Sequence, residues 1–307
     1  MNSQCKANNI TGVLLLNKPL GISSNAALQQ VKRLYQAKKA GHTGSLDPLA
    51  TGMLPICFGE ATKFSQFLLS SYKTYSVTVQ LGARTSTGDC EGEIVQRMSA
   101  AHVTANLLQE VMQELTGSIS QVPPMFSALK HQGQPLYKLA RLGIEIERTA
   151  RTVMIHQFVL RDFSHAEAQF SCLVTCSKGT YIRTLIEDCA KKLNTVAHVK
   201  TLHREYVLPY TDAIMFTMSD LERMKIASGV HGLQAALLPM TTMMHAYPPV
   251  NLPAASAFYF RMGQAVRVTL QVTSMQRVQV INEEGDFLGM GMVKQDGQLY
   301  PERLLSN

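Results

Sequence analysis

The spacing of apolar residues changes period several times along the chain, and each change marks an element. Ala27, Leu28, Val31, Leu34 and Tyr35 fall at helical intervals after Ser23 and Ser24, which predicts a helix capped by one of these serines. Tyr75, Val77, Val79 and Leu81 then alternate with Ser76, Thr78 and Gln80, the period-two pattern of a half-buried strand that Tyr75 opens. Helical spacing returns at Leu107, Leu108, Val111, Met112 and Leu115 and stops near Gly117. Residues 170–176 read as another strand. Ile182, Leu185, Ile186, Cys189 and Leu193 make the apolar face of a helix that Thr180 is placed to cap. Ser219 and Glu222 have capping-box spacing ahead of Met224 and Ile226.

Helices and strands alternate without regular βαβ spacing and without a repeat. That predicts an α+β fold with a mixed, largely antiparallel central sheet and flanking helices. Pro248, Pro249 and Pro253 punctuate the chain before its character changes. Beyond them come short β-like runs at 266–270, 277–282 and 287–293, separated by glycines, as in a small β module. The expected division is a unit over 1–249 and a second over 250–307.

Length and composition set outer bounds. The 307 residues, 46% of them hydrophobic, can bury a core and suffice for two domains. A net charge of +7 favours a polyanionic partner without identifying one. Residues 251–307 balance five basic side chains (Arg261, Arg267, Arg277, Lys294, Arg303) against five acids (Glu283, Glu284, Asp286, Asp296, Glu302). The whole excess therefore lies before residue 251. The N-terminus lacks an apolar signal core, and no run approaches the roughly 20 apolar residues of a membrane span. The six cysteines form no CxxC pair, and Cys172 and Cys176 sit in an apolar run that suits buried thiols. These features lead to the expectation of a reduced, cytoplasmic protein without structural zinc. Nothing requires self-association, so a monomer is expected.

Candidate chemistry begins at residues 41–52, GHTGSLDPLATG. Asp47 is the only acid before Glu60, against six basic residues in the same stretch. Pro48 pushes Asp47 towards an extended conformation, and the surrounding glycines permit backbone shapes closed to other residues. The segment is suited to present one carboxylate from a stiff loop, although an ordinary Asp-Pro turn uses the same residues. Residues 122–151 carry five basic side chains and two acids, with Phe126, Tyr137 and three prolines among them. Cations interleaved with aromatics suit RNA; a surface excursion with one amphipathic helix over 136–142 is the plainer alternative.

The stretch GHTGSLDPLATGMLP resembles the catalytic motif of the bacterial tRNA pseudouridine(55) synthases, in the B-type branch of the pseudouridine synthase superfamily. LLLNKPLGISS (14–24), KTYSVTVQLG (73–82) and CSKGTYIRTLIEDCAKKL (176–193) resemble further motifs of that family. The resemblance runs from about Gly12 to the C-terminal segment. It implies the pseudouridine synthase fold, a C-terminal PUA-like RNA-binding domain, and an insertion over 122–151 that grips the tRNA T-arm. It implies isomerisation of uridine 55 in the T-loop, with Asp47 as the catalytic aspartate and Arg183 as its partner. Tyr75 would stack on the target base and take part in proton transfer. Tyr181 and Leu202 would line the uridine pocket. His42 would fill the space that flipped nucleotides vacate, and Lys18 would brace the active-site loop or meet a phosphate. His203 departs from the family, which usually has arginine there.

This chemistry transfers no electrons and releases no group, so neither cofactor nor metal is expected. A carboxylate can serve as a covalent nucleophile or stabilise positive charge on the sugar. An adjacent guanidinium would lower the pKa of an aspartate that is already ionised at neutrality, so the service expected of Arg183 is orientation. The target base must be extruded before Asp47 can reach it, at a cost of a few kcal/mol. Two other classes make different demands. A non-catalytic RNA-binding or tRNA-folding factor has no need of Asp47, and a carboxylate hydrolase would want a second acid nearby, which the local sequence lacks.

Overall fold

The computed structural model describes residues 9–270 and 274–306; Cys5 and Lys6 lie outside them. From the N-terminal side come β1 (Gly12–Lys18), α1 (Ser24–Leu34), β2 (Ala40–His42), β3 (Ala50–Phe58), α2 (Ser65–Ser70) and β4 (Lys73–Leu81). A hairpin, β5 (Ala83–Thr85) and β6 (Ile94–Arg97), leads to α3 (Ala105–Glu114) and β7 (Gly117–Gln121). The charged excursion holds a second hairpin, β8 (Lys130–His131) and β9 (Gln134–Pro135), followed by α4 (Leu136–Arg141). Then follow β10 (Arg151–Ser164), β11 (Gln169–Cys176), α5 (Ile182–Lys192), β12 (Ala197–Val207), α6 (Met218–Gly232) and β13 (Leu237–Leu238).

Nine strands build the central sheet in the order β13-β1-β3-β12-β4-β11-β10-β7, with β2 added beside β3. Every pairing in it is antiparallel except β12 with β3. The sheet is therefore mixed and largely antiparallel, as the irregular alternation of elements predicts. Strand β1 is buried on both faces: Leu14 and Leu16 join the core under α1, α3 and α5, while Val13 and Leu15 join a second core. That second core holds Met53, Phe64, Met243 and Met244, and Met290 packs into it from the C-terminal part of the chain.

A five-stranded sheet ends the fold, with β14 (Pro249–Leu252), α7 (Ala254–Arg261), β15 (Val266–Arg267), β16 (Gln276–Asn282), β17 (Phe287–Val293) and β18 (Gln298–Leu304). Its strand order is β14-β16-β17-β18-β15. It has its own core, including Leu252, Phe260, Val278, Val280, Leu288 and Leu299. The strand expected over 266–270 is confined to Val266–Arg267.

Three local expectations need correction. Ser23 caps α1, its hydroxyl accepting from Ala26 N, but Thr180 does not cap α5. Its hydroxyl donates to Ser177 O at 3.0 Å, and Tyr181 is the cap residue. The capping box of α6 belongs to Thr217 and Asp220, two residues earlier than the spacing of Ser219 and Glu222 suggests. Tyr75 is the third residue of β4, which Lys73 opens. Cys172 and Cys176 are buried free thiols, as their apolar run implies. No helix among the described residues is long and apolar enough to cross a membrane.

Candidate active site

Asp47 stands in the loop between β2 and β3, and that loop is pinned from several sides. Ser24 Oγ both accepts from Leu46 N at 2.7 Å and donates to Leu46 O at 3.0 Å. Gly21 N donates to Pro48 O at 2.9 Å, Thr43 N to Pro55 O and Ala50 N to Asp47 O, each at 3.0 Å. Lys18 completes the brace. Its ammonium is fully buried and donates to Pro19 O at 2.8 Å, Ile22 O at 2.7 Å and Pro48 O at 3.4 Å. With its ammonium donating to three carbonyls, Lys18 braces the loop. Burial lowers its pKa to about 8. Gly44 takes φ +100°, a conformation that L side chains rarely adopt.

The loop opens onto a cleft of about 650 Å³ lined by Asp47, Tyr75, Tyr181, Arg183 and Leu202, together with Lys73, Ser127, Arg151 and Arg204. Five of the seven expected site residues thus meet in one concavity, drawn from β4, β12, α5 and the β2–β3 loop. His42 and Lys18 are outside its lining. His42 sits at the end of β2 with a buried Nδ1 that has no partner, and burial pushes its pKa down.

Arg183 Nε lies 2.9 Å from Asp47 Oδ2. The guanidinium is fixed on every side: Nη1 donates to Thr87 O and Nη2 to Phe126 O, each at 2.7 Å. The same Nε is 3.8 Å from Asp89 Oδ2, so one arginine spans two carboxylates. Asp89 is buried and accepts from Thr87 Oγ1 and Glu91 N. The expectation of a lowered Asp47 pKa is overturned. Desolvation in the cleft raises it above the usual 3.8, Asp89 adds to the rise, and Arg183 offsets only part of it. Placement is then what the ion pair contributes.

Tyr75 is buried, directly opposite Arg204 in the β4–β12 ladder, and burial raises its phenol pKa. Tyr181 is held through its backbone: its N–H donates to Gln121 Oε1 at 2.7 Å, and its carbonyl accepts from Gln121 Nε2 at 3.1 Å. Arg151 lies over its ring, 5.1 Å from the centroid. Leu202 pairs in parallel with Ala50 and antiparallel with Val77. His203 turns the other way and bonds Thr51 Oγ1 at 2.8 Å.

Curated relatives match nearly the whole chain. The tRNA pseudouridine synthase B of Coxiella burnetii (strain Dugway 5J108-111) is 48% identical over 296 residues, covering 96% of this chain and 95% of the relative. That of Methylobacillus flagellatus is 49% identical over 298 residues, with coverage of 97% and 96%. The chain belongs to the TruB family of pseudouridylate synthases. Residues 32–182 match the TruB family pseudouridylate synthase N-terminal domain. Residues 183–245 match the tRNA pseudouridylate synthase B C-terminal domain, and 248–305 the pseudouridine synthase II TruB C-terminal model. The fold is also similar to that in a Cbf5-Nop10-Gar1 complex, with TM-score 0.72, 22% identity and coverage of 97% and 84%. A second solved structure, an H/ACA RNP bound to a substrate RNA containing 2'-deoxyuridine, gives TM-score 0.73 at 20% identity, with coverage of 97% and 86%.

Sequence reading missed Lys73 and Arg204 in the lining of this TruB-family cleft, and Asp89 and Gln121, which contact Arg183 and Tyr181. Arg204 leaves one trace: it follows Leu202 by two residues, so strand alternation turns both to the same face. Asp89 and Gln121 leave none, because chain folding alone brings them to Arg183 and Tyr181.

Proposed function

We propose that the protein isomerises uridine 55 in the T-loop of tRNA to pseudouridine, with the Asp47 carboxylate meeting the extruded nucleotide. The observation that carries this reading is a single carboxylate facing a nucleotide-sized cleft, clamped by a buried arginine at 2.9 Å. Heterolysis of the glycosidic bond puts positive charge on the ribose, and an ionised carboxylate beside it stabilises that charge or bonds to it. Tyr75 and Leu202 supply the faces against which the uracil stacks. Tyr181, fixed by Gln121 and covered by Arg151, forms the far wall. The cleft is walled on one side by Ser127, Ala128 and Leu129, where the 122–151 excursion passes. That excursion is the RNA-gripping insertion of a catalytic unit over 1–249, and 250–307 is a separate RNA-binding unit in this reading. The enzyme acts as a monomer on tRNA and needs no cofactor for the rearrangement.

The test incubates purified protein with unmodified tRNA and maps pseudouridine position by position. Wild type is expected to modify position 55, and Asp47→Asn to bind tRNA without forming product. Equal product from both proteins would rule out the carboxylate mechanism. No product from either would leave an RNA-binding or folding factor.

A further inference from the structure

The floor of the cleft carries positive charge that no carboxylate answers. Among the described residues, Asp47 is the only acid in the lining, and Arg183 takes it. Arg204 and Lys73 are 1% and 6% exposed, and neither forms an ion pair among the described residues. Their contacts are backbone carbonyls instead. Arg204 Nε donates to Met53 O at 2.6 Å and Nη2 to Gly44 O at 3.3 Å. Lys73 Nζ donates to Ser71 O at 2.6 Å and to Leu68 O and Leu69 O at 3.2 Å. Carbonyl dipoles solvate a cation without neutralising it, so two buried charges of the same sign remain uncompensated. They are also close together: a Cβ built on Gly44 would lie 3.6 Å from Lys73 Cε and 3.8 Å from Arg204 Nη1.

An enzyme that accepts this cost has a use for it when negative charge appears in the cleft. Granting the isomerisation above, that moment is defined by the bond that breaks. The C1'–N1 bond parts with its electron pair on N1, leaving positive charge on the ribose and a uracil anion delocalised over N1, O2 and O4. Asp47 answers the first charge. We propose that Arg204, with Lys73 behind it, answers the second by stabilising uracil as it leaves the ribose. Arg204 stands opposite Tyr75 in the ladder and shares a face with Leu202, which puts its guanidinium in the floor on which the base rests. The later steps balance without an outside reagent: C5 supplies the pair that bonds C1' and loses its proton, and N1 gains one. Positive charge fixed in advance, in a site shielded from water, is an effective way to stabilise such an anion.

The test compares tRNA transcripts bearing uridine or 5-fluorouridine at the target position, under single turnover, by following loss of the original nucleoside. The fluorinated base is the better leaving group and depends less on help. Arg204→Met is expected to slow loss of uridine by about 10²-fold, the range seen when one such donor is removed, and loss of 5-fluorouridine several-fold less. Lys73→Met should show the same difference on a smaller scale. Arg204→Lys, which keeps the charge, should fall between wild type and Arg204→Met, and it carries the comparison if the methionine variant does not fold. Equal losses on both transcripts would mean that Arg204 only supports the fold, and would overturn the inference. Wild type that leaves the uridine transcript unchanged would overturn the isomerase reading and this inference with it.

Discussion

Asp47 combines two demands that pull in opposite directions. In the proposed isomerisation the carboxylate must be ionised to act on a ribose, yet the cleft disfavours its charge, and desolvation prevails over Arg183 in setting its pKa. A raised folded-state pKa means that the ionised group weakens the fold at neutral pH, and that this cost disappears once acid protonates it. Two outcomes follow. Activity should fall with decreasing pH through a midpoint above 3.8, since the proposed mechanism works through the carboxylate. Asp47→Asn, which removes the desolvated charge, should unfold at or above the wild-type temperature at pH 7, with the difference shrinking in acid as wild type becomes neutral there too. Thermal unfolding followed by circular dichroism across that range checks the sign. A clear drop in the unfolding temperature of Asp47→Asn at pH 7 would show that Arg183, left with Asp89 alone, depends on Asp47 more than the cleft penalises it.

At the scale of elements, the site depends on β3 lying between β1 and β12. Gly52 is the point of closest approach, paired with Lys18 on one side and Arg204 on the other. It has φ +98°, and a Cβ there would meet the Arg204 carbonyl oxygen at 2.2 Å. Backbone cannot yield as a side-chain tip can, so Gly52→Ala should destabilise the protein by several kcal/mol. Denaturant unfolding measures the loss, and a change below about 1 kcal/mol would mean that the parallel β3–β12 pair is dispensable. This crossing also explains what was legible in the sequence. The β2–β3 loop announces itself because glycine, proline and an isolated acid act locally. Strand β4 does so because alternation needs no neighbour. Arg204 leaves only its spacing from Leu202, since its burial comes from β3 and β4. For Lys18 the sequence leaves a loop brace and a phosphate contact side by side, and only the folded loop shows three carbonyls around its ammonium. The misplaced cap of α5 shares that origin: Thr180 has the residue type of a cap, but Gln121, sixty residues away, is what fixes the backbone of Tyr181.

For the whole molecule, the distribution of charge decides how a polyanion would be held. All the formal excess precedes residue 251, and several cations beyond it are occupied locally. Arg277 Nε is 2.6 Å from Glu302, and Lys294 lies 3.8 Å over the Tyr300 ring. The excursion beside the cleft differs. Lys130 and Lys138 are exposed there, and neither has an acidic partner among the described residues. Cations that neutralise RNA phosphates release counterions, so each one lost flattens the dependence of log affinity on log salt by about 0.7–0.9. Lys130→Gln and Lys138→Gln should therefore each weaken tRNA binding and lower the slope by about that amount. Arg261→Gln, at the end of α7, and Arg267→Gln, in β15, both in the charge-balanced C-terminal part, should leave the slope where it was. Binding titrations at several salt concentrations separate the two surfaces. If the slope responds to the C-terminal substitutions instead, the polyanion is held chiefly by that sheet, and the excursion serves to close the cleft once the RNA is bound.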